Sequence, residues 1–376
     1  MTRARIPGLI CVLVLLGILV AGLAPFERPR NAVTWLGNQN GVRFGRYGTI
    51  WSAGEFVVAD AQGEASCSLE IWLQPDSASA SSTLLAFYTP QDPLQFLLQQ
   101  YHGLLILSRQ IVGDQNRTQI IGTDGVFRRL EPVFITITSG AEQSAMYVDG
   151  NLARSFPGIR VGKQCAGQLV LGTSPIGKTG WPGQLKGLAL YQQELAPTEV
   201  FRHYQSWTTQ GRPELSGNER AIAVYLFNER TGNVVHNDVR SGIDLYIPKR
   251  FTLLHQLFLE PFWKEFRPSP SYWKDILVNI VGFIPLGFFF CAYWSSVRPI
   301  KHARWTTVVL GFAVSLTIEV LQSRLPTRDS GTTDLITNTF GTFLGVRLYA
   351  WKTARATCEI VLSRLAVVLR VGPSDF

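Results

Sequence analysis

Carboxylates and amides are uncommon inside apolar sequence, yet this chain gathers several near its end. Asp275-(x3)-Asn279, Glu319-(x2)-Gln322, Arg328-Asp329 and Asp334-(x3)-Asn338 all lie within or beside long apolar runs. A carboxylate held in hydrocarbon is costly unless paired, so Glu319 and Asp334 are expected to face inward, toward each other's helices, Asn279 or Arg328. Three kinds of chemistry fit these residue types. The plainest is interhelical hydrogen bonding with a salt-bridged loop. The second is a binding pocket for an anionic or glycosylated envelope molecule, since Arg328 carries a planar fork able to clamp a phosphate. The third is catalysis, with Glu319 or Asp334 as general acid or base and Arg328 on a phosphoryl oxygen.

The elements that must position these groups are membrane helices. Only 16% of the 376 residues are charged and 46% are hydrophobic, against roughly 25% charged in an average soluble domain. Ile6 to Phe26 is free of charge, and a helix of that length covers about 30 Å of hydrocarbon. Pro25 directly after Gly22-Leu23-Ala24 argues against a cleaved signal peptide, so this run is expected to stay as an anchor. Further spans are expected at about 276–297, 305–323 and 332–351, and the apolar tail at 357–371 is expected to lie on the cytoplasmic face as an amphipathic segment. Arg3 and Arg5, then Arg298, Lys301 and Arg304, then Lys352 and Arg355 all fall on one side. By the positive-inside rule both termini are then cytoplasmic, and residues about 27–274 lie outside. The net charge of +8 is therefore a membrane-flank feature rather than a nucleic-acid patch.

On this topology Glu319 lies about 21 Å along its helix from the inner end, so the polar cluster falls in the outer leaflet. Asp334, Asn338, Gly341 and Gly345 share one helix face, and Ser315, Glu319 and Gln322 another. The glycines let a neighbouring helix approach closely.

The outer segment reads as β structure. Apolar or alternating runs recur between turn signals: Gly41 to Phe44, Cys67 to Leu73, Leu104 to Leu107, Val133 to Ile137 and Gln168 to Gly172. Asp149-Gly150 between two such runs marks a hairpin. Many short strands predict an antiparallel sandwich over about 31–250. Of the five cysteines only Cys67 and Cys165 fall outside the spans and the tail; they are either a disulfide or two buried thiols on separate strands.

Other motifs lead nowhere. Gly172 to Thr179 matches the phosphate-loop expression, but Gly180, Pro182 and Gly183 forbid the helix it requires, so no nucleotide is expected. The five histidines show no paired spacing and read as ordinary surface or packing residues, with no metal site.

Two resemblances follow from motif order. Ser68 to Pro75, Met146 to Gly150, Leu169 to Gly172, and Gly183 to Tyr191 with Leu195 to Val200 resemble laminin-G/concanavalin A-like domains of the lectin and glucanase type. Val224 to Gly232 resembles the strand that usually opens such domains, yet here it follows the rest, and it is expected to complete the sandwich late. The resemblance implies glycan or protein binding, sometimes with calcium. The spacing of Asp114, Asn116, Asp124 and Asp149 is no recognised calcium loop, and no cofactor is expected. Over about 255–352 the polar constellation, together with Phe283-Ile284-Pro285-Leu286-Gly287, closely resembles the VanZ-like family, which is named for a glycopeptide-resistance protein. That implies a small helical membrane domain, and a link to cell-wall processes or glycopeptide resistance.

The expected molecule is a multi-pass cytoplasmic-membrane protein of the cell envelope, with an all-β sandwich outside and four transmembrane helices. Its expected partners are membrane lipids and a cell-wall glycan, polysaccharide or lipid-linked precursor, with no nucleic acid. A membrane enzyme acting on a lipid-linked intermediate and a structural adhesin anchored by its helices are the alternatives. Binding is favoured over catalysis.

Overall fold

Alternation within one strand, Val133–Ser139, explains the layering of the larger unit. Val133, Ile135 and Ile137 enter one hydrophobic core, while Phe134 packs on the opposite face with Ala145, Tyr147, Ala189 and Trp207. Successive side chains of a strand point to opposite faces, so both sets are buried only where each face is covered. A second sheet covers one face here and a helix covers the other.

The computed structural model describes residues 5–58, 65–111, 114–177, 179–240, 242–266, 268–328, 330–351 and 356. The chain divides into two units, Arg28–His255 and the segments on either side of it. Six helices are described: α1 (Arg5–Leu23), α2 (Pro197–Gln210), α3 (Phe262–Glu265), α4 (Pro270–Ala292), α5 (Ala303–Gln322) and α6 (Thr332–Ala350). The first eight described strands are β1 (Val33–Trp35), β2 (Val42–Phe44), β3 (Ile50–Phe56), β4 (Cys67–Pro75), β5 (Ser81–Tyr88), β6 (Phe96–Tyr101), β7 (Leu104–Ile111) and β8 (Asp114–Thr123). The rest are β9 (Val133–Ser139), β10 (Gln143–Val148), β11 (Asn151–Pro157), β12 (Gly167–Leu171), β13 (Gly183–Tyr191), β14 (Ala221–Tyr225), β15 (Val234–Val235) and β16 (Leu245–Tyr246).

One sheet runs β1-β2-β13-β4-β9-β10-β11, with β14 paired to β13; the other runs β15-β16-β3-β12-β5-β6-β7-β8. Leu69, Ile71, Leu188 and Leu190 from the first meet Ile50, Phe87, Leu98, Leu107 and Leu169 from the second in one core. The two sheets form an antiparallel sandwich. The displaced strand takes the late role expected of it: β14 pairs antiparallel with β13, Leu188 opposite Tyr225. Asp149 (φ 49°) and Gly150 (φ 75°) form the tight turn between β10 and β11, where two successive positive φ values favour this residue pair. The described residues of the segment Gly172 to Thr179 lie in the connection from β12 to β13, and the next described element is the strand β13; Lys178 lies outside the described residues.

Helix α2 begins with Pro197 in its first turn, where the missing N–H is harmless, and the Glu199 carboxylate accepts from the Ala196 N–H at 2.7 Å. Gly211 (φ 72°) closes it. Its Val200, His203 and Trp207 are buried against the outer face of the first sheet. Cys67 at the start of β4 and Cys165 in a short 3-10 turn, Gly162–Cys165, are joined as a disulfide with Cα atoms 6.6 Å apart.

In the helical unit, Val14, Leu15, Ile18 and Leu19 of α1 pack on Phe283, Leu286, Val314 and Ile318 of α4 and α5. Helix α4 starts earlier than the apolar run because Ser269 accepts from the Tyr272 N–H and so caps it; it ends in a π-helical turn, Tyr293–Val297. Among the described residues, three segments are long and apolar enough to cross a membrane: Ile6–Leu23, Pro270–Val297 and Ala303–Gln322. The expectation of four such spans is met by three. Helix α6 has the length but carries Asp334, Asn338, Arg347 and five threonines. The expected tail at 357–371 lies outside the described residues.

Candidate functional site

The first turn of any helix leaves backbone N–H groups without intrahelical partners. Gly331, which caps α6, has no side chain to serve them. The acceptors come from elsewhere in the chain. Glu319 on α5, 1% exposed, accepts the Gly331 N–H at 2.9 Å, with the Ser330 hydroxyl as a further partner. Glu265 on α3 accepts the Thr333 N–H at 2.9 Å and also the Thr333 hydroxyl. The Glu260 carbonyl takes the Thr332 N–H at 2.9 Å and its hydroxyl at 3.0 Å. Two carboxylates thus converge on the N-terminal end of α6, where the helix dipole is positive.

The other polar side chains run between helices. Asn279 on α4 donates to Asp334 at 2.8 Å, Asn338 on α6 to the Ser315 hydroxyl at 3.0 Å, and Gln322 on α5 to the Gly22 carbonyl at 2.7 Å. Gln322 Oε1 and Asn338 Oδ1 are buried without a partner among the described residues.

The arginine departs from expectation. Arg328 was expected to meet Glu319 or Asp334, or to clamp a ligand beside them. Its side chain is exposed, and the guanidinium donates to the Ala24 carbonyl just past α1. A long side chain on a surface turn has many acceptors in reach, and an unpaired carbonyl at a helix C-terminus is a strong one. Asp275 is exposed one turn before Asn279 and does not join the cluster. Asp329 lies outside the described residues. Of the expected set, the structure gathers Asn279, Glu319, Gln322, Asp334 and Asn338. Glu265, Glu260 and Ser330 were missed because distant capping leaves no local spacing signal. The glycine at the α6 N-cap was the one available clue. Among the described residues, no group of three or more His, Cys, Asp or Glu is placed to hold a metal ion.

A second cluster sits inside the sandwich unit. His203 on α2, expected to be an ordinary histidine, bridges two buried carboxylates, Glu70 Oε1 at 2.8 Å from Nδ1 and Glu219 Oε2 at 3.0 Å from Nε2. Tyr191 and Trp207 also donate to Glu70, at 2.8 and 3.1 Å, and Arg202 to Glu219. Burial pulls the His203 pKa down, but the hydrogen bonds and charges of Glu70 and Glu219 outweigh it and hold it above its ordinary value. Burial, then the Glu70 charge, pushes the Tyr191 phenol up. Glu70 and His203 have no exposed side-chain surface, so this network fastens α2 to the sheet rather than meeting a ligand.

Residues 221–353 match the family model described as VanZ/LLP1, and residues 52–201 match that of the concanavalin A-like lectin/glucanases superfamily. The first match begins at β14, so it takes in the last three strands as well as α3 to α6. No curated protein matches the chain. Among solved structures, the binding domain of botulinum neurotoxin serotype G is 12% identical with a TM-score of 0.33, over 48% of this chain and 44% of that one. A native heptameric SAP-like pentraxin from Limulus polyphemus is 13% identical with a TM-score of 0.36, over 59% of this chain and 96% of that one. The chain therefore spans less than half the length of the neurotoxin binding domain. By the family matches, the chain combines a VanZ/LLP1 segment with a concanavalin A-like lectin/glucanase domain.

Proposed function

We propose that this is a multi-pass envelope protein of the cytoplasmic membrane, with both termini inside, whose sandwich is displayed outside and binds glycan. The observation that carries this reading is the Cys67–Cys165 disulfide, set against Cys11 and Cys291, which remain free thiols in the helices. Disulfides persist in oxidising compartments and are rare in a reducing cytosol. The basic flank Arg298, Lys301 and Arg304 between α4 and α5 supports the same orientation. The superfamily of the sandwich supports a glycan as ligand. The test is retention of polysaccharides and peptidoglycan fragments by the full chain in lipid nanodiscs. Retention of at least one glycan class is expected; none across a broad array contradicts the reading.

In this account the polar cluster joins helices. Nearly every polar side chain in it ends on a different element from its own, as interhelical ties do. Glu319→Gln is then expected to leave abundance and function near wild type, because a neutral amide still accepts from Gly331 and is cheaper to bury than a carboxylate. Arg328→Lys still reaches a carbonyl, and is expected to be equally mild. One observation favours a ligand pocket or enzyme site instead: the two unpartnered acceptors, Gln322 Oε1 and Asn338 Oδ1. Loss of survival under envelope stress in Glu319→Gln at wild-type expression would establish that second reading.

A further inference from the structure

A cleft of about 320 Å³ opens in the sandwich unit beside the disulfide, and its charged lining is all of one sign. Arg109 comes from β7, Arg160 from the loop after β11, and Lys163 from the 3-10 turn that Cys165 pins to β4. Gly140, Gly158 and Gly162 line it too, so backbone rather than side chain forms much of the wall.

The two guanidiniums are held by neutral acceptors. Arg109 donates to Gln119 Oε1 at 2.9 Å and to the Arg160 carbonyl, and Arg160 donates to the Ala141 carbonyl at 3.3 Å. Neither makes an ion pair with a described carboxylate. Burial, and then the charge of Arg160, pushes Arg109 below the usual guanidinium range. Two cations crowded together, with no counter-charge paired to either among the described residues, are relieved by an anion. Glu194 lies against Gly140 and interacts with Glu142, but neither acid lines the cleft.

Within a glycan, the group that two guanidiniums select is an acid. We propose that this cleft binds an acidic sugar unit of an extracytoplasmic polymer, Arg109 and Arg160 engaging its carboxylate or phosphate, a narrowing that rests on the glycan-binding reading above. A cleft at the small end of the range for ligand sites suits one such unit rather than a long chain segment. The guanidinium forks match both carboxylate and phosphate, so the two sources must be separated by measurement.

The test uses the full chain in nanodiscs of uncharged phosphatidylcholine. Oligogalacturonate, poly(glycerol phosphate), a neutral glucan and single-stranded DNA of matched charge are offered in turn. One of the two acidic polymers is expected to be retained over both the glucan and the DNA. The variant Arg160→Ala, which alters an exposed side chain, is expected to bind it about tenfold more weakly while unfolding like the parent. Preference for oligogalacturonate assigns the carboxylate, and preference for poly(glycerol phosphate) the phosphate. Equal retention of DNA, or undiminished binding by the variant, overturns the inference. If neutral glycans bind and acidic ones do not, the inference falls while the glycan reading stands; if no glycan binds, both fall.

Discussion

The His203 bridge joins three titratable groups at the sheet–helix seam, and its sign can be worked out. His203 is held above its unfolded value of about 6.5, so the folded state binds the proton more tightly than the unfolded chain does. Its contribution to stability is complete below about pH 6.5 and is lost as pH rises through the folded-state value. Thermal unfolding of the sandwich unit is expected to shift to lower temperature above that value; a midpoint unmoved by alkaline pH would refute the protonated bridge. His203→Gln removes the charge and leaves two carboxylates facing each other in the core, a loss of about 3–5 kcal/mol measured near pH 6. Little of this was legible in the sequence, where Glu70, His203 and Glu219 are separated by more than a hundred residues or by a helix end. Arg328 was misread for a related reason: its type announces a fork, but its spacing does not say which acceptor the fork finds.

At the scale of elements, patterning was far more informative. Apolar runs located α1 and α5 to within a few residues, and the far end of the α4 span at Val297, because length without charge is what a membrane helix needs. Alternation and the Asp149-Gly150 turn located β4, β9, β10 and β12, while β13 was found only through the laminin-G/concanavalin A-like resemblance. The start of α4 escaped, since Lys274 and Asp275 lie beyond the uncharged run although Ser269 caps the helix upstream of them. The glycine stripe on α6 does what small residues at a helix interface do. A Cβ on Gly345 would come 2.2 Å from the Ile284 carbonyl oxygen, and one on Gly341 equally close to that of Ile280. Gly17 on α1 has nothing within 4 Å. Gly345→Ala is therefore expected to lower the thermal stability of the helical unit in detergent by about 1–3 kcal/mol, and Gly17→Ala to be neutral or stabilising. Equal effects at the two sites would mean that α4 and α6 do not pack backbone to backbone.

The whole molecule has two parts: a sandwich held in the segment between two apolar helices, and a helical unit tied internally by amides and carboxylates. Motif order made both parts legible, since the concanavalin A-like and VanZ/LLP1 signatures occupy successive stretches of the chain. The side of the membrane that holds the sandwich is a matter of charge bias and disulfide chemistry, so it is open to direct measurement. A reporter enzyme that is active only outside the cytoplasm is fused after Gln210 in one chimera and after His302 in another. Activity in the first and none in the second is the predicted result. Activity after His302 with none after Gln210 would place the sandwich in the cytoplasm and contradict the account.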